Sequence, residues 1–323
     1  MPARAATCLL LTCLALAAQA QPAAEDPAGW PHLDPSPPLL VEGGRDRVIE
    51  NLVITNPDGH GIALRGCENL TIRNCVIGPC AGQAVDLYAS TNTTVEDCFF
   101  RDVATGVYAL ESSGVRVVAN RCLNVQGPMP RGQFAQFDKV SGSGNRILAN
   151  RLWNQPGRSN PEDAINIYQS AGTPDDPILI ADNMILGGGP SPSGGGIMTG
   201  DGGGAWIEVR GNTLVDPGQY GIAIAGGTQI RLLDNRIFAA SQPFTNVGIY
   251  VWNIYCQPEP AEGLEVSGNA VHWHNRDGAA NPFWNAGDLG PVVGAESNDW
   301  NAPLTVDILP AGEHLLAPWP MAP

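Results

Sequence analysis

Ile147-Leu148-Ala149-Asn150-Arg151-Leu152 is followed 33 residues later by Ile180-Ala181-Asp182-Asn183-Met184-Ile185, and the two hexapeptides read as one phrase: apolar residues at fixed offsets around an Asn. The phrase recurs as Val117…Asn120…Cys122, Val209…Asn212…Leu214, Leu232…Asn235…Ile237 and Val266…Asn269…Val271, while three earlier copies carry Leu52, Cys75 and Cys98 in the Asn position. Successive Asn positions lie 23, 23, 22, 30, 33, 29, 23 and 34 residues apart, a unit of about 22 to 23 with insertions. Such a period marks a solenoid, whose units bury their apolar sides against their neighbours.

Inside each unit lies a second phrase, a small residue followed by an alternating pair: Gly61-Ile62-Ala63-Leu64, Ala84-Val85-Asp86-Leu87, Gly106-Val107-Tyr108-Ala109, Ala164-Ile165-Asn166-Ile167, Gly221-Ile222-Ala223-Ile224 and Gly248-Ile249-Tyr250-Val251. A period of two means strand, and no helical period is sustained after the N-terminus. Each coil is therefore expected to hold three short strands, with the Asn in the turn between the second and third. A tight turn leaves backbone groups without strand partners, and an inward Asn amide satisfies them. Stacked at about 4.8 Å, such amides also bond one another along the axis.

These two phrases resemble the all-β right-handed parallel β-helix of the pectate-lyase-like superfamily, with the parallel β-helix repeats of NosD-type proteins and an asparagine ladder. The expected organisation is a signal peptide over residues 1–20, a Pro-rich lead-in or N-terminal cap over 21–46, a β-helix of about nine coils over 47–272 and an irregular C-terminal cap or tail over 273–323. The resemblance implies a polysaccharide-active protein with its site on the first-strand face. The signatures of polygalacturonases, pectate lyases and alginate epimerases are absent, so no catalytic set carries over.

Arg4, the apolar stretch Cys8–Ala18 and Ala18-Gln19-Ala20 read as a secretory signal, giving an expected secreted or periplasmic location with no membrane span. A net charge of -15 makes nucleic acid a poor partner. Six cysteines follow the signal, and Cys67, Cys80 and Cys256 are the candidates for disulfides.

The interval from the Asn position to the first-strand apolar residue is 10, 10 and 9 in three coils, lengthens to 15, 15 and 14 in the next three, and then runs 10 and 14. The three consecutive long loops contain Arg131, Arg158 and Gly187-Gly188-Gly189-Pro190-Ser191-Pro192, and stacked loops make a wall beside a groove. The outward residues of the first strands beside that wall are polar and aromatic. Tyr88, Tyr108, Gln136, Asn166, Tyr168, Gln169, Tyr250 and Trp252, with Arg131 and Arg158, are the candidate substrate-binding residues, since rings stack on sugar faces while amides bind hydroxyls.

Lys139, Asp138, Asp163 and Asp201 are the candidate catalytic residues. Lys139, the chain's one lysine, would take the proton α to a uronate carboxylate and begin β-elimination. Arg131 and Arg158, or Ca²⁺ held by Asp138, Asp163, Glu162 or Asp201, would neutralise that carboxylate. Asp138 and Asp201, two coils and about 9.6 Å apart at the backbone, instead suit hydrolysis with inversion. The expected function is cleavage of a polysaccharide in the groove of coils four to six, as lyase or glycoside hydrolase, leaning to the lyase because of Lys139. The alternative is a non-catalytic glycan-binding or surface protein. No metal is assigned with confidence, and Ca²⁺ is the candidate cofactor.

Overall fold

The computed structural model describes residues 32–128, 132–256 and 261–317; the expected signal segment and Arg131 lie outside them. The chain winds into a right-handed parallel β-helix whose strands pair in parallel with those of the next coil. One outward column can be followed through ten coils: Leu40, Ala63, Asp86, Tyr108, Gln136, Asn166, Met198, Ala223, Tyr250 and Trp284. Long loops interrupt the sequence period but not this register. The pairing also reaches past both expected boundaries. Asp34–Ser36 already pairs with the strand Leu52–Asn56, and Phe283–Asn285 with Val247–Val251.

Alternation places Ile62, Val85, Val107, Ala135, Ile165, Ile197, Ile222 and Ile249 inside, all with no exposed surface. Their removal from water, repeated coil after coil, is the main stabilising term. The Asn positions form the ladder. Asn120, Asn150, Asn183, Asn212, Asn235 and Asn269 each donate from Nδ2 to the Oδ1 of the next, at 2.9–3.1 Å, and the last donates to Asn298. Asn298 thus adds a rung to the ladder from within the expected tail.

The turn needs a second feature. The residue before each ladder position is left-handed: Asn51, Asn74, Asp97, Ala119, Ala149, Asp182, Gly211, Asp234 and Gly268. Asn, Asp and Gly occupy that conformation at little cost, whereas Ala119 and Ala149, at φ 54, bear the penalty of a Cβ. Ala149→Gly is therefore expected to stabilise the chain by about 1 kcal/mol in denaturant titration, although glycine usually weakens structure.

None of the six cysteines is paired: Cys67, Cys75, Cys80, Cys98 and Cys122 are buried free thiols, and Cys256 is an exposed one. Beyond Asn298 the chain does not simply plug the end. Trp300 stacks on Phe283 at 4.6 Å, after which the segment runs back along the outside of the third-strand sheet. There the Arg151 and Arg121 guanidiniums donate to the carbonyls of Leu315 and Leu316, at 3.1 and 3.3 Å, capping the one-turn helix Gly312–Leu315. Among the described residues no helix is long and apolar enough to cross a membrane.

Candidate active site

A cavity of about 820 Å³ opens on the first-strand face, floored by the middle coils and rimmed toward the last ones. Its size and mixed polar and aromatic lining suit a small-molecule or glycan ligand. Its acidic residues are brought together by a local irregularity. Asp138 is in register with Tyr168, but Tyr168 is in register with Asp201, not with Gly200, because a bulge intervenes. Gly200 adopts φ +65, and a Cβ there would collide with the Gly226 carbonyl at 2.0 Å. The bulge moves Asp201 from the strand exit, where simple alternation puts it, into the groove-facing column. Asp138 and Asp201 thus stand two rungs apart, about 9.6 Å at the backbone.

Asp163 sits at the corner leading into the strand Ile165–Ala171 and is 3 % exposed. Tyr220 donates its hydroxyl to Asp163 Oδ1, the Gly195 amide donates to the same oxygen at 3.1 Å, and Asn166 Nδ2 donates to Oδ2 at 2.9 Å. Asn166 Nδ2 also donates to Asp201 Oδ2 at 2.9 Å, so those two carboxylate oxygens are at most 5.8 Å apart. Glycine at position 195 makes this possible: a Cβ there would lie 2.7 Å from the Tyr220 ring, which reaches across the intervening coil to Asp163. Burial pushes the Asp163 carboxyl up to about 7, against the three donors, which favour its ionised form.

Each aspartate has its own tyrosine. Tyr108 donates to Asp138 Oδ2 at 2.7 Å, Tyr220 to Asp163, and Tyr255 to Asp201 Oδ1 at 2.7 Å. Burial and the neighbouring acids raise the Tyr220 and Tyr255 hydroxyls above the usual phenol range, keeping them donors. Two acceptor oxygens on the floor, Asp138 Oδ1 and Asn166 Oδ1, are buried with no hydrogen-bond partner among the described residues. They call for a ligand that donates hydrogens. No ion pair among the described residues reaches Asp138, Asp163 or Asp201.

The third long loop forms the wall. Glu162 accepts from Ser191 and Ser193, each at 2.6 Å, and Gln219 donates to the Pro192 carbonyl, which pins Pro192 and Ser193 at the cavity's side. On the rim, Tyr250 lies edge-on to Tyr220 at 5.1 Å, and Trp252 edge-on to Trp284 at 6.0 Å.

Asp138, Asp163, Asp201, Gln136, Asn166, Tyr168, Tyr250 and Trp252 therefore line one cavity, with Tyr108 buried behind Asp138. The other candidates do not. Lys139 and Gln169 are exposed at the strand exit, at φ 55 and 47, and neither lines the cavity, although Gln169 Nε2 donates to the hydroxyl of the lining Tyr168 at 3.0 Å. No ion pair joins Lys139 to Glu111 among the described residues. Arg158 is exposed and is not among the residues lining the cavity, and Tyr88 belongs to a different concavity. Nor do the proposed Ca²⁺ ligands form a set: among the described residues no three His, Cys, Asp or Glu side chains are placed to hold a metal. Sequence reasoning missed Tyr220, Tyr255, Gln133, Gln219, Asn246 and Trp284 at this site. Tyr220 and Gln219 precede the phrase Gly221-Ile222-Ala223-Ile224, so the corner column that holds Asp163 was open to inspection.

Among solved structures, the tailspike protein of E. coli bacteriophage HK620, in complex with a pentasaccharide, is 12% identical over 83% of this chain and 59% of its own, with a TM-score of 0.48. The catalytic domain of a GH87 α-1,3-glucanase in complex with nigerose is 10% identical over 80% of this chain and 50% of its own, with a TM-score of 0.39. The chain thus spans between half and three-fifths of the length of these structures. No curated protein sequence matches it. The profile of the right-handed β-helix region matches residues 39–237, most of the solenoid, and the chain belongs to that family.

Proposed function

We propose that this protein is an exported glycoside hydrolase acting on a neutral glycan in the cavity between Asp138 and Trp284. The observation that carries the reading is the Asp163 carboxyl. It is buried, oriented by three donors and pushed up to about 7, which suits a general acid that protonates a leaving-group oxygen. Asp201 and Asp138 flank it as the second carboxyl group. The Asp163–Asp201 spacing lies near the roughly 5–5.5 Å of retaining enzymes, and the two-rung Asp138–Asp201 spacing near the roughly 6.5–9.5 Å of inverting ones. The anomeric form of the first product, read by NMR, distinguishes the two pairs.

Elimination has less support. It needs a base and a group to neutralise the uronate, yet no Lys, Arg or His is among the described lining residues, which include Asp138, Glu162, Asp163 and Asp201. Such a site repels a uronate. Purified protein incubated with neutral and uronate polysaccharides, with and without Ca²⁺, is expected to release reducing ends from a neutral glycan without the ultraviolet absorbance of an unsaturated product. Rising absorbance on a uronan would overturn the reading in favour of a lyase. Glycan binding without either signal would replace it with a binding protein.

A pH dependence follows. With Asp163 as the acid, the active fraction is about one half at pH 7, nearly complete a unit or more below it, and falls about tenfold per pH unit well above it. A kcat/KM profile still rising at pH 8 would remove Asp163 from that role.

A further inference from the structure

The same outward face carries a second concavity at the N-terminal end of the solenoid, lined by Leu40, Asn56, His60, Arg65 and Tyr88. It is not an isolated dent. Glu42, Arg65, Tyr88, Leu110, Asp138, Tyr168 and Asp201 are successive members of a single column, each in register with the next. Tyr88 is thus two rungs from Asp138 and four from Asp201, about 19 Å along the axis. Between the two hollows the column is continued by Leu110, which is half-buried, beside Tyr108, which is buried.

The chemistry of this second hollow suits a sugar. Tyr88 is 43% exposed and Leu40 65%, unusual for large apolar side chains on a sheet that is otherwise well covered. Beside them, Arg65 is fixed by bonds to the Leu64 and Asp86 carbonyls and to the Asp86 carboxylate. His60 accepts the Gln83 amide at Nδ1, which places its proton on Nε2, 3.8 Å from the same carboxylate. A flat ring next to a rigid set of donors and acceptors is the arrangement that stacks a pyranose face and binds its hydroxyls.

The geometry points to a distal binding subsite for the same glycan chain, so that the substrate is a polymer lying along the helix axis across both hollows and cut internally. This rests on the reading of the central cavity as a glycan site, and binding without turnover separates the two. Asp163→Asn protein, used to prevent cleavage, is titrated with end-labelled gluco-, manno-, xylo- and chito-oligosaccharides as tetramers and decamers. Decamers are expected to bind about tenfold more tightly than tetramers of the same sugar, and adding Tyr88→Ala is expected to erase that advantage. An advantage that survives Tyr88→Ala, or affinities for both lengths that fall together, would overturn the subsite. Loss of the advantage in a protein that never cleaves any glycan would leave the subsite standing and remove the hydrolase reading. Because Tyr88 is exposed, an unchanged melting transition is expected to accompany the binding change.

Discussion

Asp163→Asn is expected to lower kcat on the cleaved glycan by about a thousandfold with little change in KM, because it removes a proton donor from the transition state and leaves the cavity's shape intact. The replacement keeps the Oδ1 that accepts from Tyr220 and Gly195, while its new Nδ2 donates to the unpartnered Asn166 Oδ1 once that amide turns over, so the corner should stay folded. Asp201→Asn is expected to be comparably severe. Tyr220→Phe gives the more specific test. Its hydroxyl favours the ionised carboxylate, so removing it raises the Asp163 carboxyl further and moves the falling limb of the pH profile to higher pH. A purely structural role for Tyr220 would lower activity without moving that limb. A stability effect accompanies it with a definite sign. Since the folded value lies above the roughly 3.9 of an unfolded Asp, folding binds a proton in that window, and stability falls as pH rises from about 4 to about 7. Asp163→Asn should remove that slope, which denaturant titrations at several pH values would register.

The architecture was legible because a parallel solenoid repeats its physics. A two-residue alternation and an Asn at fixed offset sufficed to place Ile165 inside, Asn166 outside and Asn183 in the ladder, and all three stand there. The boundaries were less legible. Asp34–Ser36 and Asn298 belong to coils that themselves lack the repeat phrase, so only pairing with an intact coil reveals them. The left-handed position before each ladder residue was visible as a column of Asn, Asp and Gly that the apolar pattern drew attention away from.

The site was half legible for a physical reason. Strand alternation predicts which way a side chain points only while the strand is regular, and it ends at the strand exit. Lys139 and Gln169 occupy left-handed positions there and fall outside the cavity lining, whereas the Gly200 bulge carries Asp201 into it. The tyrosines that orient the acids come from coils one to two rungs away, across Gly195 in the case of Tyr220. The Tyr220 contact depends on a missing side chain in the coil between. A glycine aligned between an acid and an aromatic two coils apart is the signal that would have found Tyr220.

Asn183→Ala is expected to be the most destabilising single substitution in the solenoid outside the apolar core, costing about 4 kcal/mol. The Asn183 Oδ1 accepts from the Asn150 backbone amide at 3.0 Å and from its Nδ2 at 2.9 Å; the Asn183 Nδ2 donates to the Ile147 carbonyl and to Asn212 Oδ1, both at 2.9 Å. Alanine would leave two backbone groups and two amides without these partners in a dry interior, each costing roughly 1–3 kcal/mol before relaxation. Asn183→Cys should be milder. The native Cys98 shows how a thiol serves this position: its one hydrogen has the Glu96 and Ile72 carbonyls in reach, at 3.3 and 3.8 Å, so it covers part of the acceptor side while offering little to the amide above. The expected order of stability is Asn, then Cys, then Ala. Because a solenoid can open coil by coil, hydrogen exchange is the sharper readout. The Asn150 amide should lose protection first in Asn183→Ala, ahead of distant coils, whereas equal loss throughout, or a cost below about 1 kcal/mol, would show that the ladder amides are not what holds these turns together.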